Sequence, residues 1–180
     1  MMMALEEIEK ALCRARGGVE RIYCHWTGAP YRMVEFLAYH IVIDRGGYFH
    51  VMHGDFTRRL SHTWRRNSRS IGVALACCRD ACCYYDAPSG VDLGSEPPTE
   101  RQVESLAMFC GAAMDILGLR MEDIYTHAEI AAIDGYGIES GDADMRWDLL
   151  YVPDYGNQGR LVQGGPLIRG KGEYYRGMRN

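Results

Sequence analysis

The sequence contains no apolar run approaching the roughly 20 residues needed to cross a bilayer, so no membrane span is expected. The first sixteen residues also lack the uninterrupted apolar core of a secretory signal, because Glu6, Glu7 and Glu9 break it. The expectation is a protein that stays in the cytoplasm until something else releases it. Excess positive charge is missing too: at a net charge of -4, the chain has no surplus of cations to neutralise a phosphate backbone, which argues against a nucleic-acid partner. A regular disulfide framework is absent as well. Seven cysteines is an odd number, and four of them fall in the adjacent pairs Cys77-Cys78 and Cys82-Cys83, a pattern suited to a reducing compartment. No internal repeat and no convincing second domain interrupts the 180 residues, so one core is expected.

Several elements can be read from local pattern. Leu5, Ile8 and Leu12 recur at helical spacing before Gly17-Gly18, which predicts an amphipathic helix over 3–16. Val19 to His25 reads as a strand, Tyr31 to Leu37 as a short helical piece, and Ala38 to Asp44 as a second strand. Arg45-Gly46-Gly47 then turns the chain back into a hairpin partner over Tyr48 to His53. Ser70 to Cys77 is almost wholly apolar, the pattern of a strand buried on both faces at the sheet centre. Residues 79–98 carry Pro88, Gly90, Gly94 and Pro97-Pro98 and read as irregular. Thr99 and Gln102 form a capping box that opens a helix running through Leu117 to Gly118. Ile124 to His127 reads as a short strand. The fold class expected is α/β: one domain over 1–155, with a mixed sheet of about five strands flanked by helices and a cleft at the strand ends. Residues 156–180, with seven glycines, are either a tail or a segment wrapped over that domain.

Two histidines sit at corresponding places, His25 in Cys24-His25-Trp26-Thr27 and His127 in Thr126-His127-Ala128-Glu129. Strand ends present side chains to a cleft, and a catalytic zinc needs three protein ligands with one position left open. In order along the chain then come Tyr39-His40, His62 with Asn67 and Ser70-Ile71-Gly72-Val73, Pro98-Thr99 with Gln102, Thr126-His127 and Arg146-Trp147-Asp148. This series, over residues 19–150, resembles the type 2 N-acetylmuramoyl-L-alanine amidases, the superfamily that includes phage endolysins and peptidoglycan recognition proteins. Residues 62–67, His-Thr-Trp-Arg-Arg-Asn, are most similar to the phage-type amidases.

The resemblance implies zinc as cofactor, held by His25, His127 and Asp148, with Asp142 and Asp144 as rival third ligands. The family's lysine two residues before the last ligand is Arg146 here, and its Pro-Gly after that ligand is missing. It further implies metal-assisted hydrolysis of the amide between N-acetylmuramic acid and L-alanine, with peptidoglycan or a muropeptide as the partner. Tyr39 would orient the nucleophile or stabilise the tetrahedral intermediate, and Arg146 would face the developing oxyanion. Glu129 is a candidate general base or a supporting carboxylate. His62, Trp64 and Asn67 either meet substrate or brace their loop, while Arg58, Arg59, Arg65, Arg66 and Arg69 make that stretch basic. His40, His50 and His53 read as structural. Cys77, Cys78, Cys82 and Cys83 read as free thiols rather than a zinc knot, because adjacent strand residues point to opposite faces. The setting implied is phage or prophage lysis. A non-catalytic wall-binding module, a muropeptide-recycling amidase and an injected antibacterial effector are the alternatives.

Overall fold

In the computed structural model, which describes residues 2–83, 90–137 and 146–179, the main sheet has six strands among the described residues. In chain order the elements are β1 (Met2–Met3), α1 (Leu5–Arg14), β2 (Arg21–Trp26), β3 (Ile41–Ile43), β4 (Phe49–Val51) and β5 (Ser70–Leu75). There follow β6 (Cys82–Cys83), β7 (Val91–Asp92), α2 (Glu100–Leu117), β8 (Ile124–Thr126), α3 (His127–Ile133), β9 (Tyr151–Pro153), β10 (Leu161–Gln163) and α4 (Gly164–Gly177). The sheet order is β1-β4-β3-β5-β2-β8. The pairs β3–β5, β5–β2 and β2–β8 are parallel, while β4 and β1 complete one edge antiparallel.

The register of β2 on β5 decides where the site can form. His25 pairs with Ala74 and Tyr23 with Gly72, so all four belong to one face of the sheet. On the other face Ile22, Cys24, Ile71, Val73 and Leu75 join the core with Val103, Leu106 and Cys110 of α2. The small residues Gly72 and Ala74 leave space beside His25, and a loop fills it: a Cβ on Gly72 would lie 2.5 Å from the ring of His62. That loop covers what would otherwise be an open sheet face.

Helix α2 begins and ends as its sequence predicts. Thr99 accepts from the Gln102 backbone at 3.2 Å, and Gly118 closes the helix in the left-handed region at φ 71°. Gln102, fully buried, also donates to the carbonyls of Ile43 at 3.1 Å and Ala76 at 2.9 Å, which fastens the helix to β3 and to the end of β5.

Other segments depart from the sequence reading. Met2–Met3 adds an edge strand to β4, so the first helix starts at Leu5 rather than residue 3. Residues 31–40 form turns instead of a helix, because Tyr31 is tied to the 96–97 segment: its N–H donates to the Glu96 carboxylate and its hydroxyl to the Pro97 carbonyl. Within the stretch expected to be irregular, Cys82–Cys83 pairs with Val91–Asp92, while residues 84–89 lie outside the described residues. Cys77 and Cys78 do not point apart. The strand has already ended at Leu75, and the positive φ of Cys78, 66°, brings the two sulfurs to 3.6 Å.

The glycine-rich C-terminal segment contributes β10, which pairs with β9 in a two-stranded ribbon, and then α4, which packs across α2. Gly111 makes the close crossing possible: a Cβ there would meet the Gly172 carbonyl at 2.7 Å. Ion pairs flank the crossing, Lys171 with Glu104 and Arg179 with both Glu9 and Asp115. No helix among the described residues is long and apolar enough to cross a membrane.

Candidate metal centre

At the carboxyl ends of the parallel strands, where open α/β sheets present their ligand crevices, three side chains converge. His25 is the second-to-last residue of β2, and His127 is the first residue of α3, immediately after β8. Thr126 ends its strand and caps the helix, accepting from the Glu129 backbone at 3.2 Å; His127 therefore projects from a helix N-terminus rather than from the strand.

Asp148 arrives from a distant turn held on three sides. Trp147 packs edge-on against Trp26 of β2 with ring centroids 4.5 Å apart. The Asp148 carbonyl accepts from the Ala128 N–H at 3.2 Å, joining the turn to the start of α3. Leu149, fully buried at φ 59°, faces the first residue of α4, where a Cβ on Gly164 would lie 2.1 Å from the Leu149 carbonyl oxygen. Only glycine lets α4 press this closely against the turn.

The three donor atoms form a nearly equilateral triangle. Nδ1 of His25 is 3.1 Å from Nδ1 of His127 and 3.2 Å from Oδ2 of Asp148, and the third edge is 3.1 Å. Three vertices of a tetrahedron around zinc, with bonds of about 2.0–2.1 Å, stand roughly 3.3 Å apart, close to these edges. Two imidazole nitrogens facing each other at this distance can share at most one proton between them, an arrangement that a cation accepting both lone pairs resolves. Among the described residues this is the one grouping of three or more histidine, cysteine or carboxylate ligands near enough to share an ion.

Electrostatics favours the forms that bind metal. Burial pushes His25 down to about 4, and the facing His127 adds to the effect against the pull of Asp148, so His25 is neutral at physiological pH. Burial would by itself raise Asp148, but hydrogen bonding with His127 and His25 outweighs it and holds the carboxyl well below the usual carboxylate range. The Asp148 side chain keeps 15% exposure while that of His25 has none, so the triangle opens to solvent on the aspartate side.

The remaining residues singled out in the sequence lie at varied distances from this centre. Tyr39 stacks against His25 at 5.0 Å between ring centroids, and its hydroxyl donates to the Trp26 carbonyl at 3.4 Å. Burial, with the negative charge of Asp148 behind it, raises its pKa far above the ordinary phenol range. Arg146 lies two residues from Asp148 with its guanidinium over the Tyr136 ring at 5.0 Å. Glu129 holds the N–H of its own cap, Thr126, at 2.9 Å, and binds Arg169 of α4 through both carboxylate oxygens at 2.8 Å. That engagement fits a brace between α3 and α4. Asp142 and Asp144 lie outside the described residues.

In the 60–70 loop, Asn67 accepts from the backbone of His62 at 3.1 Å and of Thr63 at 2.7 Å, so its side chain fixes the loop from within. His62 is buried beneath the site, and burial together with the neighbouring His25 and His40 pushes its pKa down to about 2. Trp64 is half exposed, stacked under Arg65 at 4.2 Å, and lines a cavity of about 400 Å³ with Tyr23, Arg66 and Asp134. That cavity contains none of the three converging residues. Of the five arginines, Arg66 pairs with Asp134 and Arg69 with Glu20, while Arg58 meets His53, so much of the basic character is matched locally. His40, His50 and His53 bond to the Arg58 carbonyl, Asp44 and the Leu37 carbonyl respectively.

Two contributors escaped the sequence reading. The Thr126-x-x-Glu129 spacing is a capping box and could have revealed both the helix start at His127 and the occupation of Glu129. Thr63, whose hydroxyl lies 3.3 Å from Nε2 of His25, carries no such signal.

A family model described as N-acetylmuramoyl-L-alanine amidase matches residues 15–143. The matched span contains His25, Tyr39 and His127 but stops short of Arg146 and Asp148; the place of Asp148 beside the two histidines rests on geometry. No curated protein matches the chain. A solved structure that it partly resembles is the endolysin N-acetylmuramoyl-L-alanine amidase LysCS from Clostridium intestinale URNW, at 17% identity and a TM-score of 0.46, over 63% of this chain and 71% of that one.

Proposed function

Because the chain belongs to the N-acetylmuramoyl-L-alanine amidase family, we propose that it is a zinc-dependent hydrolase cutting the amide between the lactyl group of N-acetylmuramic acid and the first alanine of the stem peptide. The observation that carries the zinc reading is the triangle of His25 Nδ1, His127 Nδ1 and Asp148 Oδ2, with edges of 3.1–3.2 Å. Two imidazoles and one carboxylate are a ligand set used by catalytic zinc. When bound, such an ion supplies Lewis acidity, polarising the amide carbonyl and lowering the pKa of the attacking water.

The protein's own groups do the rest. His25 is neutral and Asp148 ionised before loading, the charge states that bind a metal. Tyr39, held protonated by burial, keeps a hydroxyl to donate toward the substrate carbonyl as negative charge develops there. Arg146 brings a permanent cation to the same turn as Asp148. The exposed Trp64 offers a flat surface to sugar or peptide. The intact donor set favours an enzyme over a module that only binds the wall, and the likeness at residues 62–67 supports a lytic, phage-type setting.

Digestion of purified peptidoglycan, followed by mass spectrometry, tests the bond assigned. Free stem peptides beginning at alanine are expected, with the glycan strands left intact. Release of disaccharide units or cross-bridge fragments instead would refute it.

A further inference from the structure

Behind His25 runs a continuous series of polar contacts that ends on the main chain. Nε2 of His25 is 3.3 Å from Oγ1 of Thr63, which is 3.0 Å from Nδ1 of His62. Nε2 of His62 lies 3.4 Å from Oγ of Ser70, and that hydroxyl donates to the Arg66 carbonyl at 3.1 Å. His25, His62, Thr63 and Ser70 are all buried, so bulk water does not compete for these bonds. The series exists because Gly72 carries no side chain: a Cβ there would occupy the place of the His62 ring.

Only one ordering of protons satisfies every link once Nδ1 of His25 offers its lone pair to a metal. The Arg66 carbonyl can only accept, so Ser70 donates to it and accepts from Nε2–H of His62. Nδ1 of His62 is then the lone-pair nitrogen and accepts from the Thr63 hydroxyl, which in turn accepts from Nε2–H of His25. Each donor is matched to one acceptor, and the direction is fixed by the carbonyl at the far end.

We infer that Thr63 is a positioning residue for the metal: through Thr63, His62 and Ser70, the Arg66 carbonyl sets the tautomer and ring orientation of His25. This rests on the reading of His25, His127 and Asp148 as zinc ligands. Groups that hold the outer nitrogen of a ligating histidine typically change metal affinity by about 10–100-fold when removed. The role is specific to His25. The buried Nε2 of His127 has no hydrogen-bond partner among the described residues, so tautomer control acts on one ligand and leaves the other to the helix terminus that carries it.

The test is zinc affinity, by competition with a chelator, for the full-length wild type, Thr63→Val, Thr63→Ser and Ser70→Ala, with thermal melts of each apo-protein. Thr63→Val keeps the shape and removes the hydroxyl; its zinc Kd is expected to rise by about 10-fold or more, with Thr63→Ser within about threefold of wild type. Ser70→Ala, remote from the ligand, serves where Thr63→Val does not fold and is expected to raise Kd several-fold. Equal zinc affinity in wild type, Thr63→Val and Ser70→Ala would overturn the positioning role while leaving the zinc site standing. Failure of the wild type to take up zinc would overturn the ligand reading, and this inference with it.

Discussion

Oδ2 of Asp148 lies 3.2 Å from Nδ1 of His25 across 123 residues of sequence, and α4 reaches the turn that brings them together. The contact between Gly164 and the Leu149 carbonyl therefore makes the C-terminal helix part of the support for the site. Gly164→Val should displace the Asp148 turn and weaken zinc binding by about 10-fold or more, as loss of outer support does elsewhere. Chelator competition on the folded variant, verified by circular dichroism, measures this; unchanged affinity would remove α4 from the site's support.

Tyr39 is partly buried against His25 and remains a proton donor across the working pH range. If its hydroxyl meets the developing oxyanion, Tyr39→Phe should lower kcat by about 100-fold, the usual effect of deleting one such donor. KM and zinc content should stay near wild type. Steady-state kinetics on a soluble muropeptide separates these terms, and an unchanged kcat would dismiss the tyrosine from the chemistry.

Glu129 is expected to act in stability. Its two oxygens bind Arg169, and the pair is about three-quarters shielded from solvent, with side-chain exposures of 22% and 27%. Glu129→Gln weakens charge-assisted bonds that contribute about 2 kcal/mol, which corresponds to a Tm lower by roughly 4–8 °C. Activity below the melting transition should stay within a few-fold of wild type. A loss of about 100-fold or more in a folded variant would return the general-base role to this residue.

Acid should destabilise the metal-free protein before its carboxylates titrate. His40 donates from Nε2 to the Arg58 carbonyl at 2.8 Å and accepts from the Gly72 N–H at 3.1 Å, so protonation would set two donors face to face. Burial lowers His40 to about 4 and His62 to about 2, from an ordinary 6.5. The unfolded chain therefore binds more protons than the folded one below about pH 6.5, and stability falls as pH drops. Between pH 7 and 5 each histidine should cost about 2 kcal/mol. For His40 the loss levels off near pH 4, while for His62 it continues lower. Denaturant melts in the presence of chelator should show this slope, and His40→Gln, which can donate and accept in the same way, should remove about 2 kcal/mol of it. A flat profile in the wild type would contradict neutral burial of both rings.

Much of the frame was legible because it depends on local pattern. The buried run of β5, the capping box at Thr99 and the stop at Gly118 all act within a few residues of themselves. Adjacent pieces were not, and the reasons are tertiary. Helix α4 contains five glycines in fourteen residues and has poor intrinsic helix propensity; it forms against α2, where Gly111 admits it. Residues 31–37 carry helical spacing, but bonds from Tyr31 to the 96–97 segment override it. At the site, His25 and His127 stood out by their strand-end positions. Thr63 did not, because its role exists only where β5 supplies Gly72 and the loop folds back over it.

The most direct test of zinc-dependent hydrolysis at this triangle is a metal titration of the chelated wild type and of Asp148→Asn, with stem-peptide release from peptidoglycan as the readout. Asparagine keeps the shape of the side chain and removes the charge that Asp148 brings to the two histidines. The wild type should regain full release at one equivalent of zinc, and the variant should stay inactive at that loading. Full release by the metal-free wild type, or wild-type response in Asp148→Asn, would contradict the assignment.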